Sequence, residues 1–251
     1  MIEAKNLYAG YGKKSVLENI SLNIKTGEFT SIIGPNGSGK STLLKSLTGI
    51  IKILKGEISI DELSSIEIPR QAKAQKIAYL PQGGITNSMT VEQTVLHGRF
   101  PYLSYPRKYS ATDKKITHSA LERVGIKKEL WNEPLDTLSG GMKQTVYIAM
   151  ALAQSTDYIF LDEPTTYLDI SHQINIMNLL KNLAEDGKGI VSVMHDLPLA
   201  FKFSDNIIVM NEGRIIANDT PEKLSKTDII NQTFGVGIRL DKETGEYSYF
   251  Y

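Results

Sequence analysis

"FTSIIGPNGSGKSTLLKSL", Phe29 to Leu47, is the stretch from which the rest of the chain can be read. A short apolar run typical of a buried strand leads straight into a glycine-rich loop, and a helical pattern begins directly after it. "GPNGSGKST" satisfies G-x-x-x-x-G-K-[ST] with the strand before and the helix after that this pattern requires. Gly34, Gly37 and Gly39 allow the tight backbone that turns successive N–H groups toward phosphate oxygens, with Pro35, Asn36 and Ser38 between them. The helix that starts near Lys40 adds its positive end. Lys40 is placed to set an ammonium between β and γ phosphates, the Ser41 hydroxyl suits Mg²⁺, and Thr42 continues the first helical turn.

Further along, the apolar run "YIFL" ends in Asp162 and Glu163, which sets two carboxylates at the C-terminal end of a buried strand. Open α/β sheets bind their ligands at that end. Asp162 suits a Mg²⁺-water contact, and Glu163 is then available to polarise the attacking water.

"LSGGMKQ", Leu138 to Gln144, resembles a second phosphate loop, but no Lys-Ser/Thr follows its glycines, so it cannot repeat the chemistry of the first. Its Ser139, Gly140 and Gly141 open the helical pattern "MKQTVYIAMALAQ", and the free N–H groups of that turn form an anion site.

Composition limits what else the chain can do. At 251 residues it suits one large α/β domain with an insertion. Lys plus Arg and Asp plus Glu are both 28, so no global basic field draws it onto nucleic acid or acidic lipid. With Cys absent, disulfides, thiolate metal sites and Cys nucleophiles are excluded together. The N-terminus lacks the apolar core of a signal peptide, and no apolar run reaches the length of a membrane span, so a soluble cytoplasmic protein is expected.

Strand patterns in "VLENISLNI", "GEISID" and "KIAYLPQ" give way to helical periodicity from about Thr86 to Ala153. They return in "DYIFLD", "GIVSVMHD" and "NIIVMNEG", with a helix around "SHQINIMNLLKNLAED". The expected fold is α/β, with a mainly parallel sheet, an N-terminal antiparallel β region and an inserted helical subdomain. The boundaries expected are a catalytic core over 1–85 and 154–251, closed by a hairpin that turns at Thr244 and Gly245, and a helical subdomain over 86–153.

Taken together, these stretches resemble the nucleotide-binding subunit of an ABC transporter over essentially the whole chain. The resemblance implies the P-loop NTPase fold of that family and hydrolysis of ATP with Mg²⁺. It implies that Tyr11 stacks on adenine, that Gln82 of "YLPQ" reaches Mg²⁺ together with Ser41 and Asp162, and that His195 of "VMHD" acts as a switch near the γ phosphate. Two copies would pack head to tail, so that Ser139, Gly140, Gly141 and Asp169 of one complete the nucleotide site of the other. Taken singly, Tyr11 also reads as packing, Gln82 as a polar loop residue, His195 as a hydrogen-bonded strand-end histidine and Asp169 as a helix N-cap. One departure is Met142, where the family usually has Gln.

"HGRFPYL", ending at Leu103, and "EPTTYLDISHQ" resemble the importer ATPases of iron-siderophore, haem and cobalamin permeases, a group that includes some molybdate or tungstate systems. The implied partners are a second copy, integral membrane permease subunits and, indirectly, an extracytoplasmic substrate-binding protein. The implied location is peripheral, on the inner face of the membrane. Gly98 to Tyr109 falls where the family docks its permease, with an exposed loop beside the helical insertion as the alternative reading. The alternative is a soluble ABC ATPase that drives assembly or remodelling of a cytoplasmic complex.

Overall fold

The computed structural model describes residues 1–12, 14–83, 89–241 and 243–250. The chain opens with strands β1 (Ile2–Tyr11), β2 (Lys14–Ile24) and β3 (Phe29–Ile33), then helix α1 (Lys40–Leu47), strands β4 (Ile53–Ile60) and β5 (Leu63–Ser64), helix α2 (Arg70–Ala74) and strand β6 (Ile77–Leu80). Helices α3 (Val91–Leu96), α4 (Ala111–Arg123) and α5 (Gly140–Ala153) precede strand β7 (Tyr158–Asp162), helix α6 (Ile170–Glu185), strand β8 (Gly189–Val193) and helix α7 (Leu197–Phe203). Strands β9 (Asn206–Asn211) and β10 (Arg214–Asp219), helices α8 (Pro221–Leu224) and α9 (Ile229–Phe234), and strands β11 (Gly237–Leu240) and β12 (Tyr247–Phe250) complete it. Two compact units result: Met1–Ile68 with Leu180–Tyr251, and Pro69–Leu179.

In the first unit β1 pairs antiparallel with β2 and β4, while β3 lies parallel to both β8 and β9. β3 and β8 are buried along their whole length, as parallel strands covered on both faces must be, which is why their sequences read as nearly continuous apolar runs. Their buried hydroxyls are satisfied locally: Ser204 Oγ donates to Ser31 Oγ at 2.6 Å. The C-terminal strands β11 and β12 form the expected hairpin, turning where the Gly245 N–H donates to Asp241 O at 2.8 Å. Tyr247 packs its ring 5.2 Å from that of Phe201 on α7.

In the second unit β6 and β7 are parallel, and from residue 89 to 153 the described residues hold helices and no strand beyond the isolated bridge Thr90↔Pro134. The expected start of the helical segment at Thr86 falls on residues 84–88, outside the described residues. Thr90 and Ser110 each close a capping box, with Gln93 and Asp113, and so fix where α3 and α4 begin. Val91, Val95, Leu121, Val146 and Ile148 are fully buried and build the core of this unit.

The stretch from Gly98 is not a simple exposed loop. His97–Tyr102 forms a 3₁₀ turn, and the buried Arg99 pairs with Asp113 at 3.0 Å and donates to Ala153 O at 2.8 Å. Its guanidinium lies 3.9 Å from the centre of the Tyr102 ring. Phe100 and Tyr102 of the same turn are exposed, and just beyond it Tyr105 is almost fully solvated.

Candidate functional site

The first unit carries the phosphate loop. β3 delivers the chain to Gly34, and α1 begins six residues later at Lys40. A Cβ on Gly34 would lie 2.2 Å from Met210 O, so only glycine lets the loop pass that strand. Gly39, the N-cap of α1, has φ +100°, a left-handed conformation that side chains disfavour. The N–H of Gly213, in the β9–β10 turn, donates to Ser38 O at 3.0 Å and pins the loop from beneath. Lys40 is buried, and its ammonium donates to Gly34 O at 2.8 Å and Pro35 O at 3.0 Å. The cation is thus folded over the loop's own carbonyls.

Ser38 Oγ is the informative atom. Its residue is 3% exposed, and the hydroxyl has no hydrogen-bond partner. An orphaned buried hydroxyl costs about 1–3 kcal/mol and marks a place where an acceptor belongs. The exposed Asn36 and Gly37 complete an open cradle of donors, and a phosphate chain matches that chemistry.

Two other candidates lie on this unit. Tyr11 ends β1 and is 57% exposed, where its ring could take a planar base. His195 follows β8 at its C-terminal end and is exposed, while the neighbouring Asp196 caps α7 through Leu199 N at 2.9 Å.

The second unit gathers the carboxylates. β7 is buried throughout and ends at Asp162, 4% exposed, whose Oδ2 accepts from Tyr79 Oη at 3.3 Å. Glu163 then turns into the left-handed region at φ +56°. Side chains rarely hold that conformation, and here it diverts the Glu163 carboxylate from the course of Asp162. Glu163 Oε2 accepts from Gln82 Nε2 at 2.6 Å and from Thr166 Oγ1 at 3.2 Å. The sequence reading pointed to Asp162, Glu163 and Gln82 and missed Tyr79 and Thr166. Thr166 was findable, because it lies three residues beyond Glu163 in the same tight turn.

Ser139 caps α5, with its Oγ accepting from Met142 N at 3.3 Å, so the residue that departs from the family pattern serves the turn through its backbone. Gly140 and Ser139 are exposed at the helix start. Asp169 caps α6: Oδ1 accepts from His172 N at 2.9 Å and Ser171 Oγ at 2.7 Å, and Oδ2 meets His172 Nδ1 at 2.7 Å. These bonds, the backbone N–H of His172 foremost, hold the Asp169 carboxyl well below the usual carboxylate range. Asp169 thus stands as the N-cap of α6. Gln173, also unread in the sequence, donates to Thr165 O at 3.2 Å and Leu168 O at 3.1 Å and fixes the intervening turn.

Comparison with known proteins agrees with this chemistry. The family profile described as ABC transporter matches residues 17–166. The ferric enterobactin transport ATP-binding protein FepC of Escherichia coli (strain K12) is 37% identical over 237 residues, 94% of this chain and 87% of that protein. The iron(3+)-hydroxamate import ATP-binding protein FhuC of Bacillus subtilis (strain 168) is 38% identical over 241 residues, 95% and 89% of the two chains. Among solved structures, the dimeric post-hydrolysis state of the ATP-binding cassette MJ0796 bound to ADP and Pi superimposes with a TM-score of 0.76 at 33% identity, over 88% of this chain and 99% of that one. A profile match over more than half the chain, with relatives alike along nearly all of it, makes the protein a member of the ABC transporter family, an ATP-binding subunit and an ATPase.

Proposed function

We propose that this chain powers an importer of iron chelates, working as a head-to-tail pair beneath two permease subunits that receive cargo from an extracytoplasmic binding protein. The observation that carries the substrate class is likeness along almost the whole chain to subunits named for ferric enterobactin and iron(3+)-hydroxamate. Haem, cobalamin and molybdate or tungstate are the competing cargoes. Among the described residues no helix is long and apolar enough to cross a membrane. Membrane attachment is therefore assigned to the permease, on its inner face.

Each candidate residue receives a role. Tyr11 takes the adenine. Residues 34–42 wrap the phosphates, with Lys40 leaving its carbonyl partners for the β and γ oxygens and Ser38 Oγ gaining a partner. Mg²⁺, when bound, neutralises charge on the β and γ oxygens. Ser41, Gln82 and Asp162 offer the hard oxygen donors it prefers, too few to hold it without the phosphates themselves. Glu163 accepts a proton from the attacking water, whose oxygen bonds to the γ phosphorus as the bond from that phosphorus to the β–γ bridging oxygen breaks; ADP and inorganic phosphate leave, and His195 steadies the charge that develops.

Ser139, Gly140, Gly141 and Asp169 complete the second copy's site. Support for that assignment lies in the capped, exposed start of α5, whose N–H groups and positive end suit a γ phosphate. The dimeric ADP- and Pi-bound state of MJ0796, a relative at 33% identity, supports pairing. Nucleotide shared between copies acts as a dimerising ligand, and loss of the γ phosphate releases it. A catalytic core over 1–85 and 154–251, with a signature-bearing helical subdomain over 86–153, fits this division of labour.

The test is uptake and capture together. Glu163→Gln protein with Mg²⁺-ATP, recovered from detergent-solubilised membranes of the source cell, is expected to bring down a polytopic permease. Cells lacking the chain are expected to lose uptake of ⁵⁵Fe-siderophore. Capture of soluble proteins alone would replace the importer with an assembly ATPase, and intact iron uptake with lost cobalamin or molybdate uptake would replace the cargo.

A further inference from the structure

The turn that opens α5 and the loop that opens α6 are joined by one side chain that none of the site roles above includes. A Cβ built on Gly141 would lie 2.3 Å from His172 Cδ2 and 2.6 Å from His172 Cγ. The imidazole therefore sits directly against the backbone of the Ser139–Gly141 turn, in space that any other residue at position 141 would claim. The opposite edge of the same ring places Nδ1 2.7 Å from Asp169 Oδ2. A carboxylate only accepts, so Nδ1 carries the proton in this bond. His172 N closes the cap on Asp169 Oδ1 at 2.9 Å, so backbone and ring of the same residue both bond one carboxylate.

We propose that His172 is a positioning residue for turnover, whose imidazole locks the Asp169 carboxylate and the Ser139–Gly141 turn into one rigid piece. The proposal rests on the head-to-tail reading, in which both groups reach the second copy's nucleotide. Two separate loops would each have to be ordered when the dimer closes, and each would oppose closure with its own entropy. Joined through a ring wedged against glycine and bonded to a carboxylate, they arrive together at a fixed spacing. The requirement for glycine at 141 then has a local cause besides phosphate approach: it makes room for the imidazole.

The test is steady-state ATP hydrolysis by the full chain, with a fluorescent ATP analogue titrated onto the monomer as a parallel readout. His172→Ala is expected to lower kcat by about tenfold and to leave nucleotide affinity within about twofold. His172→Asn, which keeps a donor for Asp169, is expected to recover most of the loss, and His172→Phe, which keeps bulk without the donor, is not. Gly141→Ala is expected to be damaging in the native background and to add a clearly smaller loss once His172 is Ala, because the ring it would strike is gone. Wild-type kcat in His172→Ala, equal rates in the Asn and Phe variants, or additive losses in the double variant would each overturn the proposal. If His172→Ala loses nucleotide binding as well, the comparison of Asn with Phe decides. Failure of the wild-type chain to hydrolyse ATP would instead remove the ATPase reading itself.

Discussion

Gln82 and Glu163, 81 residues apart in sequence, are joined by a 2.6 Å hydrogen bond from the amide Nε2 to the carboxylate Oε2. With Thr166 as a second donor on the same oxygen, the carboxylate is oriented before any substrate arrives.

Glu163→Gln removes the base and keeps the shape. We expect kcat to fall at least about a hundredfold, with ATP binding retained and an ATP-dependent dimer visible by light scattering. Normal turnover in that variant would refute the assignment of Glu163.

Lys40→Ala strips the phosphate loop of its only cation. Loss of charge-assisted bonds to phosphate, each about 1.5–3 kcal/mol, is expected to weaken ATP affinity by about ten- to a hundredfold. Titration of a fluorescent ATP analogue measures it, and unchanged affinity would count against the loop's role.

Ser139→Arg places a long side chain at the exposed start of α5 while leaving residues 34–42 untouched. Monomers are expected to bind ATP as before. Combined with Glu163→Gln, the variant is expected to stay monomeric in Mg²⁺-ATP, and a normal dimer by light scattering would mean that the turn does not face a second copy.

Asp113 ties the helical part of the second unit together, bonding Ser110 at the cap and the buried Arg99. The Ser110 hydroxyl first, with Arg99 assisting, holds its carboxyl below the ordinary value. A folded pKa below the unfolded one gives stability that is complete above the unfolded value, near about 4, and is lost as pH falls through the depressed folded value. Asp113→Ala leaves the Arg99 guanidinium buried without its carboxylate, and about 3–5 kcal/mol of destabilisation is expected in urea at neutral pH. The acid limb of the stability curve is expected to flatten in the variant.

Much of this architecture was legible in the sequence, because the informative positions are local. "FTSII" before glycines and "YIFL" before two acids announce strand ends, and Ser139 before two glycines announces a helix start. β1 escaped because bulges between Ala4 and Gly10, with Asn6 at φ +47°, break the alternation that would reveal a strand. The 3₁₀ turn at His97–Tyr102 escaped because Pro101 reads as a loop marker, while Arg99, the residue that fixes the turn, finds its partner Asp113 only in space. The contacts of Tyr79 and His172 were unreadable for the same reason, since no spacing rule links them to Asp162 or Gly141.

Pro69–Leu179 carries Gln82 and Glu163 and also carries Ser139 and Asp169. In a head-to-tail pair, one body then attends to its own nucleotide with the first two and to its neighbour's with the others. On that proposal each catalytic event would consult two molecules of ATP. The pair would then act as a coincidence detector, indifferent to a single occupied site, and is expected to respond to ATP with a Hill coefficient that approaches about two.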